Sequence, residues 1–439
     1  APRDMRDMLW SSVDNPESRD LDQIEYAGQL DGGDIRVLVG IADVDALVPQ
    51  GSPIDAHAAA NATSVYTGVV TFPMLPDALS SNLTSLVEGA DRPALVIEFV
   101  VTPDGTLRTD TVYRAVVHNH AKLDYESVGA WLEGNALPPA VGAVAGLEAQ
   151  LRLQDEATDR LRELRIRNGA PDLETIEARV VMDDGHVSDL RVLHKNRARY
   201  LIESLMIAAN GVMAGMLEDG GRPFIQRVVR TPERWPRIAE LAAQLGDTLP
   251  STPDPRALAQ FLARQQRADP VHFPDLSLAV VKLLGAGEYT LVRPGEAPAG
   301  HFGLAVSDYT HATAPNRRYA DLVIQRLIKA QLANAPAPYS ADELAALATH
   351  CTERDKASKK VERRMRKYAG VAIMRGRVGG VFDAIVTGAS PKGTYVRLLA
   401  PPVEGRVLRG ERGMDVGDQV RVRLIGVGED TGFIDFARA

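Results

Sequence analysis

The chain has 439 residues, 45% hydrophobic and 25% charged, a mix that excludes a peptide, a disordered chain or a single small module and predicts two or three domains. Its one cysteine, Cys351, excludes an internal disulfide and a cysteine metal cluster, and no apolar run approaches the roughly 18 residues of a bilayer span. A net charge of −8 argues against general nucleic-acid affinity, so any polyanion would have to meet a local surface.

The opening APRDMRDMLW lacks a basic segment followed by an apolar one, which predicts no signal peptide and a cytoplasmic protein. The first 120 residues read as strand-rich. DIRVLVGIADVDALV and RPALVIEFVVTPDGTLRTDTVYRAVV run or alternate apolar, with a turn at Pro103-Asp104-Gly105. From about 140 to 265 helical periodicity takes over. Leu201, Ile202, Leu205, Met206, Ala209, Met213 and Met216 share one arc, flanked by Glu203 and Asn210.

Proline-rich loops follow, TPDPRA, DPVHFPDL and VRPGEAPAG, and then HFGLAVSDYTHATAPNRRYADLVIQRLIKAQL predicts a strand and loop running into a helix. Thr313 is placed as its N-cap and Pro315 in its first turn. A second long helix is expected over about 341–374, with Val361, Met365, Tyr368 and Ala372 facing inward and Cys351 packed. After Gly376 and Gly379 come five short strands, VFDAIVTGAS, GTYVRLL, VEGRVL, DQVRVRLIGVG and TGFIDF, the pattern of a small closed OB-type barrel. The fold class is therefore an α+β domain over 1–376 followed by an all-β barrel over 377–439. Nothing argues for an oligomer, so a monomer is expected.

The charge is segregated. Residues 1–60 carry twelve acids against four Lys/Arg, and residues 351–380 carry ten Lys/Arg against three acids. Each run by itself reads as a solvated face. Together they are what a metal-dependent site on nucleic acid requires, a carboxylate nest for cations and a positive surface for phosphates.

The carboxylates concentrate in SSVDNPESRDLDQIEYA, where Asp14, Asp20 and Asp22 fall within nine residues. Acids this close repel unless a cation neutralises them, and Mg²⁺ is held by one or two carboxylates with substrate phosphates completing its shell. An EF-hand does not fit, because Arg19 stands where that loop needs Gly and Pro16 occupies its third position. A hard-cation site and an unliganded acidic turn both remain open on these residues alone.

The segment resembles the signature of the RNB family, the catalytic domain of ribonuclease II and ribonuclease R, whose acids follow the spacing Asp, five residues, Asp, one residue, Asp-Asp. Asp14, Asp20 and Asp22 match three of the four, and Gln23 stands at the fourth, an amide that can ligate but brings no charge. The resemblance continues in order through VGIADVDALVPQGSPIDAHAAANATSVYTGVVTFPMLPDALSSNLTSL, AKLDYESV, YLIESLMIAAN and HFGLAVSDYTHATAPNRRYADL. Gly40, Ala314, Asn316 and Ala320 depart from it. From Gly380 onward the chain is similar to an S1 RNA-binding barrel, and the family's two N-terminal cold-shock domains have no counterpart in the sequence.

The resemblance implies an α+β RNB-type catalytic domain and an S1 barrel acting on single-stranded RNA. The implied reaction removes nucleoside 5′-monophosphates from the 3′ end by a two-metal mechanism with Mg²⁺, or Mn²⁺ in its place. Asp14, Asp20, Asp22 and Gln23 would hold metal. Arg317 would stabilise the transition state from the start of a helix, and Arg318 keeps the second basic position. Tyr66 and Tyr125 would be stacking platforms, and Glu203 and Glu362 would contact sugars near the 3′ end. His301 and His311 show no zinc spacing and read as structural. Two alternatives stand beside this reading: an RNA-binding protein whose catalysis is impaired, motivated by Gln23, Ala314 and Asn316, and a metal phosphohydrolase of small nucleotides, which leaves the barrel unexplained.

Overall fold

The computed structural model describes residues 1–439 apart from 175, 176, 271 and 392, so one position of the DPVHFPDL segment lies outside the described residues. The strand-rich opening forms a six-stranded sheet: Arg3–Asp4 (β1), Trp10–Asp14 (β2), Gln23–Gln29 (β3), Ile35–Ala42 (β4), Asp91–Val101 (β5) and Leu107–Asp124 (β6), ordered β1-β6-β2-β3-β4-β5. The long β6 folds back on β5 through the turn at 103–105 and then runs parallel to β2, from Trp10↔Asn119 to Asp14↔Asp124. The sheet thereby closes on itself through the additional β5–β6 pairing. Val37 and Leu38, neighbours of opposite parity on β4, are both fully buried, because both faces of this strand are covered.

Helices Leu147–Arg167 (α1) and Arg197–Asp219 (α2) pack against this sheet and each other. The arc expected on α2 is the buried one: Leu201, Ile202, Leu205, Ala209 and Met213 are in the core, with Met206 and Met216 half-buried at its margin. Among the described residues α2 is the single helix long and apolar enough to cross a bilayer by length and composition, which a count of uninterrupted apolar residues misses because Glu203, Ser204 and Asn210 break the run. Most of that stretch is buried inside the protein.

Four local expectations need correcting. The stretch read as helical from 140 to 265 contains a hairpin, Glu177–Asp183 with His186–Leu193. Its tip, Asp184-Gly185, has both residues at positive φ, the two-residue turn whose Asp-Gly signature stands in the sequence. Two proline-rich segments read as loops open helices instead, Pro255–Ala268 and Phe273–Leu284, each with proline in the first turn. The helix expected to begin near Thr313 begins at Tyr319 and runs to Leu332 (α3). Backbone N–H groups before it are taken by side chains: Ala312 by Asn210 at 2.8 Å, Ala314 by Asp321 of the helix itself at 2.8 Å and Asn316 by Asp22 at 3.0 Å.

The long helix Ala341–Met374 (α4) has the expected span and a Ser340/Glu343 capping box, but not the expected face. Val361 and Ala372 are exposed, and Met365 and Tyr368 are only half-buried. The reason is that α4 packs mainly near its ends. Leu344, Ala348 and Cys351 join the core of the first domain, whereas Ala369, Val371 and Met374 join the core of the closed five-stranded barrel formed by the five expected strands, from Val381 to Arg438. Gly370 allows the close approach, since a Cβ there would sit 3.1 Å from Val403. Burial pushes the Cys351 thiol up to about 12, consistent with a packed, unreactive side chain.

Two buried polar sites generate tests. Arg326 on α3 gathers distant chain into one network, donating to Asp45 at 2.9 Å, Asp55 at 2.8 Å, the Tyr339 hydroxyl at 2.6 Å and the Val48 carbonyl at 2.6 Å. Replacing Arg326 with Ala leaves the buried Asp55 without its cation, whereas Asp45 keeps Lys329 at 2.7 Å, and is expected to cost about 3–5 kcal/mol in urea unfolding, with Arg326→Lys recovering only part. Glu25 on β3 is fully buried, and neither carboxylate oxygen has a partner among the described residues. Burial first, and the Asp14 charge second, raise its pKa well above the ordinary value. A raised carboxyl stabilises the fold below its unfolded pKa, and that contribution is lost as pH rises towards the folded one. Glu25→Gln is therefore expected to raise the melting temperature at pH 8 more than at pH 5, flattening the pH dependence of thermal unfolding.

Candidate active site

The acids sit on the β2–β3 connection. Asp14 ends β2, Gln23 begins β3, and the eight residues between are pinned from several directions. Lys122 donates to the Ser18 carbonyl at 2.6 Å, the Ser85 hydroxyl takes the Leu21 N–H at 2.9 Å, and Arg179 of the hairpin pairs with Glu17 at 2.6 Å. Leu21 and Asp22 are buried, whereas Asp20 is half-buried. Asp20 lines an open cleft of about 660 Å³, together with Asp14, Gln23, Tyr66, Tyr125, Glu203, Arg317 and Glu362. Asp22 lies beneath its wall, 2% exposed, and Arg318 also does not line it.

Asp22 accepts from the Asn316 N–H at 3.0 Å and from Arg317 Nε at 3.0 Å. Burial raises its pKa to about 7, against the opposing pull of Arg317. Asp14 is raised too, again by burial first, and accepts the Asn15 N–H at 2.7 Å. Arg317 lies in the turn before α3, not in its first turn, and its backbone carbonyl accepts the Ser64 N–H at 2.9 Å. That bond and the Thr63↔Arg318 bridge bring the loop carrying Tyr66 against the arginines. Arg318 is paired with Asp321 at 2.6 Å, so it shapes this turn.

The departures from the expected block are accommodated. Asn316 donates to the Ser80 carbonyl at 2.7 Å and accepts from the Thr84 hydroxyl at 2.8 Å, while Ala314 and Ala320 are buried without a polar demand. The space a side chain would need at Gly40 is taken by Ile24 and Trp10. His301 and His311 lie in a buried aromatic chain with Tyr309 and Tyr289, and burial lowers the pKa of both, that of His301 to about 4.

The aromatic and acidic residues of the cleft are not free. The Tyr66 hydroxyl donates to Asp20, and its N–H reaches Glu362 at 3.3 Å. Tyr125 carries the Arg199 guanidinium 4.4 Å above its ring, and Glu203 is paired with Lys195. Lys195 and Arg199, with Asn15, are cleft residues that the sequence reading missed. Their signal was available: Arg199 precedes Glu203 by four residues on α2, one turn away on the same face.

Asp14, Asp20 and the Gln23 amide are hard oxygen donors around one space, and the burial that disfavours charge on Asp14 is what a cation would offset. No group of three or more His, Cys, Asp or Glu side chains among the described residues is gathered as a metal cage. The set suits an ion held by one or two carboxylates, with water and substrate phosphate completing its shell, as Mg²⁺ is ordinarily bound.

A family model described as "RNB domain" matches residues 2–334, and one described as "RNase II-type exonuclease C-terminal S1 domain" matches residues 380–439. Ribonuclease R of Escherichia coli is 30% identical over 99% of this chain and 57% of its own length. Ribonuclease R 1 of Lactococcus lactis is 27% identical over 99% of this chain and 56% of its own. The chain thus spans little more than half the length of these curated relatives. The structure of Mycoplasma genitalium RNase R in complex with ribose methylated single-stranded RNA covers the whole chain and 72% of its own, with a TM-score of 0.89 at 23% identity. By these matches and by its closed sheet, helical layer and C-terminal barrel, the chain belongs to the RNB family and carries an RNase II-type S1 domain.

Proposed function

We propose that the chain is a metal-dependent exoribonuclease that hydrolyses single-stranded RNA from its 3′ end, releasing nucleoside 5′-monophosphates by two-metal chemistry with Mg²⁺ or Mn²⁺. The observation that carries this reading is a single cleft in which Asp14, Asp20 and Gln23 face Arg317, in a chain whose relatives are ribonucleases R. Bound cations would supply a hydroxide nucleophile and neutralise the departing 3′ oxygen. The chain's own residues do the rest. Asp14 and Asp20 with the Gln23 carbonyl hold the ions, and no protein nucleophile is needed. Arg317, its Nε held by Asp22, offers its remaining N–H groups to the phosphate as negative charge develops. Lys195 and Arg199 set positive charge on the wall where Tyr125 and Glu203 lie, with the Arg199 guanidinium stacked on the Tyr125 ring, so a terminal nucleotide would meet cation and aromatic ring together.

The direct test is 5′-labelled single-stranded RNA with Mg²⁺, beside DNA of the same sequence and an Asp20→Asn control. A ladder shortening from the 3′ end on RNA alone, absent in the control, supports the reading. RNA shifted in a native gel but left intact by the wild type would instead assign the chain to the catalytically impaired binding proteins, with Gln23 as the cause. Arg317→Gln is expected to lower kcat by about 10²–10³ while the Kd for RNA changes by only a few fold. Arg317→Lys, which keeps the charge but loses the planar fork, should fall between.

The Asp22 carboxyl sets a pH dependence. Its pKa near 7 means that below neutrality it takes a proton and loosens its hold on Arg317, so turnover at low Mg²⁺ is expected to rise with pH through about 7 and then level. Raising Mg²⁺ should move that limb to lower pH, because a cation beside Asp14 and Asp20 favours the ionised form of the neighbouring Asp22 carboxyl. Initial rates across pH at two metal concentrations check this, and no shift with metal would count against a cation bound near these acids.

A further inference from the structure

Gln23 leaves the acidic loop one charge short, and the same strand carries an acid that has no part in the chemistry described so far. Gln23 opens β3 and lines the cleft. Glu25 follows two residues on, and the β3–β4 register is regular from Gln23↔Ile41 to Gln29↔Ile35, so the two side chains share one face of the strand. Glu25 stands about 7 Å further along that face, fully buried and not part of the cleft lining. Neither of its carboxylate oxygens has a partner among the described residues. Directly opposite it on β2 is Ser11, fully buried as well, and its hydroxyl is equally without a partner. Facing positions of β2 and β3 thus set three partnerless oxygens in the interior below the acidic loop.

Among the described residues the one charge that acts on Glu25, that of Asp14, has the same sign. Arg317 offsets part of the cost of burying Asp14, but no lysine or arginine does so for Glu25. Burial first, then the charges of Asp14 and Glu25, raise the Tyr125 pKa as well, so both acids act on a ring that lines the cleft. In an apolar interior like charges repel far more strongly than in water, and the same low dielectric makes a cation beside Asp14 favourable to both carboxylates. As a core residue alone Glu25 costs stability, because it is an acid taken out of water without a partner. As the counter-charge to a bound cation it does what an amide or an aliphatic side chain in its place would not.

We propose that Glu25 is the buried counter-charge of the cation held at Asp14 and Gln23, supplying from beneath the cleft the negative charge that an amide at position 23 withholds. It is a positioning residue: Asp14 and the Gln23 carbonyl hold the ion, and Glu25 raises the affinity of that pair across the apolar layer, as carboxylates behind a metal's own ligands do. Counted with Asp14, Asp20 and Asp22 it brings the acids around the site back to four, one of them moved two residues along the strand. The proposal rests on the exoribonuclease reading for the use made of the ion.

The test reads metal binding without RNA, so that its failure is separate from failure of the catalytic reading. Mn²⁺ is titrated into the full chain and followed by electron paramagnetic resonance, for the wild type, Glu25→Gln and the double change Gln23→Asp with Glu25→Gln, with Asp14→Asn to assign the ion to this site. Glu25→Gln, which keeps the shape and removes the charge, is expected to weaken Mn²⁺ binding by about 10–100-fold. The double variant, its charge returned to position 23, should recover the wild-type affinity or exceed it. Without metal Glu25→Gln should melt no lower than the wild type, which separates lost affinity from a lost fold, and Mn²⁺ should raise its melting temperature less. Unaltered Mn²⁺ affinity in Glu25→Gln overturns the proposal. A double variant as weak as Glu25→Gln also overturns it, since a restored charge would then fail to replace the one removed. Equal Mn²⁺ binding by the wild type and Asp14→Asn overturns it too, because no cation would then sit beside Asp14. RNA left intact by a protein with the expected Mn²⁺ affinities would instead sink the exoribonuclease reading and leave this one standing.

Discussion

The structure turns on one carboxylate. Asp22 leaves water entirely to accept hydrogen bonds from the backbone of Asn316 and the side chain of Arg317, almost three hundred residues further along the chain. Taking a carboxylate out of water is costly, and its elevated pKa shows that these partners do not fully offset the penalty. What the arrangement secures is position. It joins the β2–β3 connection to the turn before α3, so the acids of the cleft and its arginine occupy one place although they come from opposite ends of the domain. Neighbouring bonds reinforce the join: Arg317 to Ser64 through the backbone, Asn316 to Ser80 and Thr84, and Asn210 to Ala312. The cleft is held mainly by bonds between segments remote in sequence, which is why a local substitution such as Asn316 is absorbed by new partners.

That dependence on remote segments explains what the sequence could and could not disclose. The strands of the closed sheet and the barrel were legible, because alternation and apolar runs are local and strong. The span of α4 was legible too, although its capping box went unread. The start of α3 was not, because its upstream N–H groups are taken by Asp22 and Asn210, both remote in sequence, and by Asp321 of the helix itself. The inward face of α4 was misread for a related reason: periodicity assumes one packing surface along a helix, whereas α4 is buried near its two ends by different cores. The hairpin at 177–193 is a different case. Its Asp-Gly turn and β-branched flanks were in view and were overridden by the helical periodicity on either side.

The site shows the same division. Eight of the ten residues singled out in the sequence line one cleft, and most of them came from resemblance to the RNB family, because isolated tyrosines and glutamates carry little signal of their own. Lys195 and Arg199 escaped notice although they contact those very residues. Their effect is to change the roles open to Glu203 and Tyr125, one neutralised by an ion pair and the other overlaid by a guanidinium. An acidic chain can in this way present cationic surface where phosphate would lie. Its surplus negative charge is confined to the first sixty residues, and residues 351–380 carry a local excess of positive charge, ten Lys/Arg against three acids.

The hairpin also has a bearing on how far the barrel can be regarded as a detachable unit. Val180 and Leu190 of the hairpin, with Ala369, Val371 and Met374 of α4, belong to the same apolar cluster as the barrel's own Val396, Leu398 and Phe436. Arg179, from the same hairpin, holds the acidic loop through Glu17. Grafting a foreign barrel onto this scaffold would have to reproduce that shared seam, or the chimera would expose apolar surface and slacken the loop at once. Modularity in this chain is a property of its sequence blocks more than of its hydrophobic interior.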